Sequence, residues 1–302
     1  MPSNRTSSVP PLRVLGHRML RNAPLVASVA LLLFGAGTLT AAQPTSTPTS
    51  IVSATPTPAA LAGKIAYVCQ GGICVFNLAS GTNTLIAASG INPKFSPDGT
   101  KIVLQGCGGI CVMNADGTNP TTVGNFGGLP AWSPDATKIV FSSNGIWVMN
   151  ADGSGLQQLS NHGRWPAWSP DMSQIAFGSS LGSPDDDLWS MNPDGTNARR
   201  ILPRPGEDLD VVWSPSGLIL FGGDLGNGKA GSFEIQTFNP VTLSLTRLTN
   251  SPRQDFEPSW SPDGSMIAFA SFRNPAGVYI MNADGSSPRL IIAGGRQPSW
   301  GP

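Results

Sequence analysis

The sequence has few charged residues and very few histidines. Charged side chains make up only 12% of the 302 residues, and 18 Lys and Arg balance 18 Asp and Glu, so the formal net charge is zero. A nucleic-acid binder normally needs a basic surface, so this balance argues against a nucleic-acid partner. The two histidines, His17 and His162, are distant in sequence from each other and from the cysteines. A catalytic zinc site is therefore not expected, and we predict no other metal and no cofactor.

Cysteine is also scarce, and its four residues fall in two short segments. Cys69 and Cys74 flank Gly71-Gly72, which fits a two-residue hairpin turn and would set the two cysteines opposite one another. Cys107 and Cys111 bracket a three-residue loop in the same way. In an exported chain we expect both pairs to form disulfides, and the alternatives are free buried thiols or pairing between the two segments.

Long apolar runs are absent except near the N-terminus. Residues 1–42 contain arginines, then an apolar run, then small residues up to Ala42, which is typical of a cleaved export signal. The stretch 25–42 is borderline for spanning a bilayer, so an uncleaved anchor is the alternative. Residues 43–60 are rich in Pro, Thr and Ser and predict an extended linker. We expect an extracytoplasmic protein, secreted, periplasmic or tethered, whose only membrane contact is this N-terminal segment.

The rest of the chain repeats one short motif about every 40 residues, a period typical of repeat architectures. Its clearest copy is Trp260-Ser261-Pro262-Asp263-Gly264. Ser-Pro-Asp-Gly predicts a tight type I turn, and a short β-branched and aromatic run follows each copy, so each motif is strand, turn, strand. A second turn, such as Asn282-Ala283-Asp284-Gly285, joins two further strands. Each repeat therefore predicts four antiparallel strands, and the motif copies begin at Phe95, Trp132, Trp168, Trp213, Trp260 and Trp300.

The two ends of the repeat region complement each other. Residues from Leu61 onward match the second, third and fourth strands of a repeat, and residues 296–300 match a lone first strand. We therefore predict an all-β fold over residues 61–302: a six-bladed β-propeller of four-stranded antiparallel blades, with the ring closed by the C-terminal strand. A solenoid is the alternative, but it does not explain the complementary ends.

The segment from Pro258 to Gly264, with Ile267-Ala268-Phe269 and the segment from Val278 to Gly285, resembles the WD40-like PD40 repeats of the TolB-type propeller family. The resemblance covers residues 61–302 and implies an exported bacterial propeller that serves as a protein-interaction module. The α/β domain that precedes the propeller in TolB has no counterpart in residues 1–60, so the resemblance does not carry over TolB's role in the cell envelope. The repeat marks a fold more than a function.

Three segments resemble motifs of catalytic or ligand-binding sites but lack features that those sites require. Gly178–Gly182 fits the Gly-x-Ser-x-Gly nucleophile pattern but enters a loop instead of a helix, so we interpret it as a glycine-serine loop. Residues 223–230 nearly spell a phosphate-binding loop, but Ala230 stands where Ser or Thr must coordinate magnesium. Asp185, Asp186 and Asp187 are interpreted as a solvated loop, with a weak cation site left open. No catalytic residues are assigned.

Binding residues are expected on one face of the ring. The Ser-Pro-Asp-Gly and Asn-Ala-Asp-Gly hairpins share one face, called the turn face here, and the variable connections share the opposite face, called the loop face. Variable loops on a rigid scaffold commonly carry function. We hypothesise a non-catalytic module that binds an envelope or extracellular protein through this face; the alternative is a polysaccharide- or peptide-active enzyme that uses the same funnel. The candidate residues are His162, Arg164, Trp165, Asp208, Asp210, Arg253, Asp255, Arg273 and Arg296.

Overall fold

The structure is a computed structural model that describes residues 61–224 and 233–302. The predicted export signal and linker, and most of the glycine-rich segment 223–230, lie outside these residues. The described strands are β1 Lys64–Cys69, β2 Gly72–Asn77, β3 Asn83–Ala87, β4 Ile91–Phe95, β5 Lys101–Gly106, β6 Gly109–Asn114, β7 Thr121–Gly124, β8 Gly128–Trp132, β9 Lys138–Ser142, β10 Ile146–Asn150, β11 Gln157–Ser160, β12 Arg164–Trp168, β13 Ile175–Ser179, β14 Asp187–Met191, β15 Arg199–Leu202, β16 Asp208–Trp213, β17 Ile219–Asp224, β18 Phe233–Asn239, β19 Ser244–Arg247, β20 Asp255–Trp260, β21 Met266–Ser271, β22 Gly277–Asn282, β23 Arg289–Ala293 and β24 Arg296–Gly301.

These strands form six four-stranded antiparallel sheets, which are the blades of a propeller. Blades 2 to 6 are consecutive in sequence: β4–β7, β8–β11, β12–β15, β16–β19 and β20–β23. Blade 1 has the order β24-β1-β2-β3, with Trp300 of β24 paired to Ile65 of β1. The C-terminal strand therefore completes the N-terminal sheet. The predicted six-bladed propeller and its closure are confirmed.

The Ser-Pro-Asp turns hold the first and second strands of a blade together through one serine. In blade 2, the Ser96 hydroxyl donates to Asp98 Oδ1 at 2.5 Å and accepts the Lys101 amide at 2.9 Å. Hydrogen bonds from Ser96 and Thr100 lower the pKa of the Asp98 carboxyl, which is exposed. The same pattern recurs at Ser133, Ser169 and Ser261. The turn motif is therefore a local hydrogen-bonded unit, which explains why it repeats so legibly in sequence.

Ala136 ends one of these turns with φ of 58°, where Gly99 and Gly264 stand in equivalent turns. A left-handed backbone costs an L-residue roughly 1–2 kcal/mol, and glycine avoids most of that cost. We predict that Ala136→Gly raises the free energy of unfolding by about 1 kcal/mol, measured by urea denaturation. The matched control is Ala151→Gly in an Asn-Ala-Asp-Gly turn, where φ is negative, and we expect a small loss there. A loss at both sites would contradict the strain argument.

The repeat tryptophans pack between neighbouring blades, as predicted from their place in the motif. Trp132 lies in a buried cluster with Val103 of blade 2 and Phe141 of blade 3, and its Nε1 donates to the Lys94 carbonyl at 3.1 Å. Burial of such a large ring stabilises the contact between two sheets that share no strand pairing. Trp300 packs in the same way between blade 1 and blade 6, so its cluster stabilises the closure of the ring.

Both expected disulfides are present, Cys69–Cys74 and Cys107–Cys111. The predicted geometry of the hairpins was wrong by one residue. Cys69 pairs with Gly72 in the β1–β2 ladder, so the turn is Gln70-Gly71 and the two cysteines lie diagonally instead of opposite. Cys107 likewise lies within a two-residue turn, because Gly106 pairs with Gly109. The Cα–Cα distances, 5.8 Å for Cys69–Cys74 and 5.7 Å for Cys107–Cys111, still suit a disulfide in each hairpin.

The chain divides into two units, Met1–Pro56, which lies outside the described residues, and Thr57–Pro302, which contains the propeller. Within the described part of the second unit, no helix has the length and apolarity needed to cross a bilayer. The loop-face connections are shorter than predicted, because several residues expected in loops lie in strands. Trp165 belongs to β12, Asp208 and Asp210 to β16, and Asp255 to β20.

Candidate functional site

The innermost strand of every blade bends at the same place. In each blade the third residue before the repeat aromatic has φ between 52° and 57°, and the pairing with the second strand shifts register there. Positive φ is uncommon for a residue other than glycine, and such a bulge re-aims the side chain. The six bulge residues line one central channel, and we call them the channel ring: Asn92, Leu129, Trp165, Asp210, Glu257 and Gln297.

Four residues of the channel ring are joined by hydrogen bonds from blade to blade. Asp210 Oδ2 accepts the Glu257 amide at 3.2 Å, and Glu257 Oε2 accepts the Gln297 amide at 2.8 Å. Gln297 Oε1 in turn accepts the Asn92 amide at 2.9 Å. Each side chain therefore fixes the backbone of the next blade. The other two ring residues, Leu129 and Trp165, are apolar, so the channel is amphipathic.

Three charged groups face this channel. Burial raises the pKa of Glu257 to about 7, and the neighbouring Asp210 carboxylate adds to the rise. Burial also raises the pKa of Asp210, which Lys94 opposes. Lys94 lies one residue before the aromatic of β4, and burial lowers its pKa against the pull of both carboxylates. The channel therefore brings together a pair of carboxyl groups and an amine whose proton affinities are all displaced toward the neutral form.

The raised pKa of Glu257 makes stability depend on pH. In the unfolded chain the carboxyl ionises near 4.5, whereas in the folded chain it keeps its proton up to about 7. The folded state therefore binds more protons between these values, and stability falls as pH rises from 4.5 to 7. We predict that Glu257→Gln, which stays neutral, removes on the order of 1–2 kcal/mol of that fall. Urea unfolding of the wild type and of Glu257→Gln at about pH 5 and pH 8 measures this change in the free energy of unfolding. The same change between the two pH values in both proteins would contradict the prediction. The charged groups facing Glu257 are Asp210 and Lys94, both retained in the variant.

Three of the predicted binding residues instead form buried ion pairs beneath the loop face. Asp255 is fully buried, and its Oδ2 lies 2.5 Å from Arg273 Nη2. Asp208, also fully buried, contacts Arg204. Burial raises the pKa of Asp208, and the Arg204 guanidinium opposes that rise. Each arginine also stacks over a phenylalanine of the second strand, at 5.3 Å and 5.6 Å. These groups anchor loop ends and are enclosed by the protein.

The aspartates at 185–187 are not the solvated loop that the sequence favoured. Asp186 and Asp187 are buried, and they pair with Arg164 at 2.7 Å and Arg200 at 3.0 Å. Asp185 accepts the amide of Gly206 at 3.1 Å. Because each carboxylate already has a protein partner, the three do not converge on a shared point. Among the described residues, no group of three or more His, Cys, Asp or Glu is arranged to hold a metal ion.

His162 is half-buried, and its Nδ1 lies 2.8 Å from the Ser179 hydroxyl. Ser179 belongs to the Gly178–Gly182 segment, but its side chain is buried and also accepts the Leu181 amide at 3.2 Å. The ring packs against Trp189 with centroids 5.5 Å apart, and burial lowers its pKa. No carboxylate in the described part of the chain hydrogen-bonds this histidine. The arrangement is a structural contact and not a nucleophile with its base.

The exposed aromatic and arginine side chains of the loop face are most concentrated on blade 6. Phe272 is 55% exposed and contacts Phe256 with ring centroids 5.0 Å apart. It borders a shallow groove with Arg253, which is also exposed. Arg296 is exposed at the start of β24, and Arg164 lies 4.8 Å above the Trp165 ring at the channel. Arginine and aromatic side chains are thus presented together on this face.

The structure therefore separates the nine predicted binding residues. It brings Trp165 and Asp210 together in the channel ring, and leaves Arg253, Arg296 and the half-exposed Arg164 on the loop face; the others have structural contacts. Sequence reasoning missed Lys94, Glu257, Gln297, Asn92 and Phe272. An alignment of the six repeats on their aromatic residue would have found four of them, because the channel residues stand one or three places before it in each repeat.

Solved structures share this fold. TolB from Acinetobacter baumannii superposes with a TM-score of 0.69 at 19% identity, over 80% of this chain and 67% of that one. A TolB-type protein from Agrobacterium tumefaciens gives 0.64 at 20% identity, over 78% and 91%. A chain of a nidogen–laminin complex gives 0.64 at 14% identity, over 78% and 97%.

These likenesses confirm that the fold is the six-bladed propeller of the TolB type. No protein-family model and no curated protein matches the sequence. The same fold also occurs within an enzyme, the tricorn protease, where it matches 25% of that chain with a TM-score of 0.61. The fold by itself therefore does not distinguish a binding module from part of an enzyme.

Proposed function

We propose that this chain is a non-catalytic, extracytoplasmic propeller that binds another protein through its loop face. One observation carries the proposal: Phe272 and Arg253 are exposed along one groove, on loops whose ends are joined by the buried Asp255–Arg273 ion pair. Aromatic and arginine side chains dominate the energy of many protein interfaces, and a rigid backbone reduces the entropy lost on binding. The nidogen–laminin complex supports this use of the fold, since a chain with the same fold occurs there in a protein complex.

The proposed location follows from the N-terminal sequence and the disulfides. Residues 1–42 would act as a signal peptide or membrane anchor, residues 43–60 as a linker, and residues 61–302 as the binding domain. The pairs Cys69–Cys74 and Cys107–Cys111 support an oxidising compartment, because disulfides persist mainly in exported proteins. The partner would be an envelope or extracellular protein, with membrane contact only through the N-terminal segment.

A second candidate function is supported by a specific feature of the channel. Asp210 and Glu257 both have raised pKa values and lie close enough for the Glu257 amide to reach Asp210 Oδ2. Acid–base catalysis requires carboxyl groups whose pKa values lie near neutral pH. The spacing of residues in the sequence did not reveal such a pair. An enzyme acting on a polysaccharide or peptide in the funnel is therefore the alternative.

The deciding experiment compares retention of envelope proteins on immobilised full-length chain. The wild type is tested beside Arg253→Ala/Phe272→Ala and beside Val241→Ala/Leu243→Ala, which removes exposed apolar groups from a blade 5 hairpin at the turn face. We expect one partner to be retained by the wild type and the turn-face variant and reduced at least about tenfold by the loop-face variant. Loss only in the turn-face variant would contradict the choice of face. Turnover of glycans or peptides, abolished by Glu257→Gln, would favour the enzyme.

A further inference from the structure

Lys94 is the single basic side chain among the described residues that line the channel. The equivalent residues of the other five blades are small or apolar: Ala131, Ala167, Val212, Ser259 and Ser299. In the residues that the structure describes, Lys94 Nζ has neither a hydrogen-bond partner nor an ion pair, and Asp210 and Glu257 act on it only through longer-range attraction. A partly desolvated ammonium without a partner is unfavourable, so a ligand that supplies an anionic group would be stabilised there.

The carboxylates of Asp210 and Glu257 form the second charged element. Asp210 accepts a hydrogen bond only at Oδ2, from the Glu257 amide, and in the described residues its Oδ1 has no partner. Glu257 accepts the Gln297 amide at Oε2. Backbone amides orient these groups but do not neutralise them. Lys94 attracts both carboxyl groups only at longer range, so a ligand ammonium in direct contact would stabilise their charged forms.

Part of the remaining wall is apolar, and the channel has a defined volume. Leu129, Trp165, Ala167 and Val212 line it on the side of blades 3 to 5. The cavity volume is about 350 Å³, within the usual range for small-molecule sites. It is large enough for a small organic molecule with an apolar side group and too small for a folded partner. The channel therefore offers an anion contact, a cation contact and an apolar wall together.

We propose that the central channel binds a small zwitterion with an apolar side group, of the apolar α-amino acid class, with its carboxylate at Lys94 and its ammonium at Asp210 and Glu257. A simple anion would meet the two carboxylates, and a simple cation would meet Lys94. A neutral ligand would leave all three groups without a charged partner. Only a molecule with both charges complements the whole channel. This inference goes beyond the loop-face partner, because it concerns different residues and a different kind of ligand.

The test is isothermal titration of the full-length protein at about pH 7 with L-leucine and L-phenylalanine. We expect a Kd below about 1 mM for at least one of them. N-acetyl-L-leucine lacks the ammonium and L-leucinamide lacks the carboxylate, so each should bind at least about tenfold more weakly than L-leucine. Absence of heat up to about 10 mM with both amino acids, or equal affinity for the blocked analogues, would overturn the proposal.

Variants then locate the site. Lys94→Met should remove the preference for L-leucine over L-leucinamide, and Asp210→Asn should remove the preference over N-acetyl-L-leucine. The matched control is Lys101→Met, since Lys101 is exposed on β5 and its Nζ reaches Asn114 at 3.4 Å. We expect unchanged affinity there, with thermal unfolding confirming that every variant is folded.

L-leucine binding that survives Lys94→Met, with the preference over L-leucinamide intact, would also overturn the proposal. Loss of the protein partner in the loop-face variant would leave these titrations unchanged, so the two proposals fail separately.

Discussion

Removal of Arg296–Pro302 is expected to destabilise the whole propeller, by at least about 5 kcal/mol, or roughly 10–20 °C in Tm. The deletion removes β24, which leaves the edge of β1 unpaired and takes Trp300 out of the cluster between blades 1 and 6. It also removes the links between blades 6, 1 and 2. Ser259 Oγ accepts the Trp300 amide at 2.9 Å, and Ser299 Oγ accepts the Phe95 amide at 3.0 Å.

Thermal unfolding followed by circular dichroism measures this effect. The control deletes only Pro302, which lies beyond the last residue of β24 and leaves the strand and Trp300 in place. A small effect is expected for the control. A Tm of the seven-residue deletion within a few degrees of the wild type would show that the sheets hold together without closure of the ring.

Arg273→Ala is expected to lower the free energy of unfolding by about 3–5 kcal/mol, because it leaves the Asp255 carboxylate buried without its counter-ion. The arginine also stacks over Phe269 and Tyr279, so packing is lost as well. The matched control is Arg164→Ala. The Asp186 carboxylate is buried, but the Arg164 side chain is 59% exposed, so solvent screens this pair and a smaller loss is expected than for Arg273→Ala.

Urea denaturation of both variants gives the comparison, and a third protein tests the cause. Asp255→Ala combined with Arg273→Ala removes both charges, so it should recover part of the stability that Arg273→Ala loses. If the double variant is no more stable than Arg273→Ala, the loss comes from packing and not from an unpaired charge. Equal losses for Arg273→Ala and Arg164→Ala would contradict the role of burial.

Much of the fold could be predicted because its signals are local and repeated. The Ser-Pro-Asp and Asn-Ala-Asp turns are hydrogen-bonded units of a few residues, so their sequence alone indicates where strands begin and end. Disulfide pairing was also local. The register of the β1 hairpin was predicted wrongly, since Gln70-Gly71 and Gly71-Gly72 are both acceptable two-residue turns by composition, and the full ladder of β1 on β2 decides between them.

The binding site depended on contacts that no local pattern contains. Lys94, Asp210 and Glu257 belong to blades 2, 5 and 6, and only the closed ring brings all three to one channel. Asp255 and Asp208 looked like surface groups on variable loops, but the blades around them enclose both carboxylates beside arginines. Burial is a property of the assembled structure, so the sequence did not indicate which acids are paired.

The sequence by itself therefore determined the strands, the number of blades and the strand that closes the ring. Turn chemistry and the aromatic repeat are set by neighbouring residues, and the complementary ends follow by counting strands. The tertiary structure alone decided which side chains face the channel and which carboxylates are enclosed. The physical reason is that a bulge of the innermost strand re-aims one residue per blade, and the charges around that residue come from other blades.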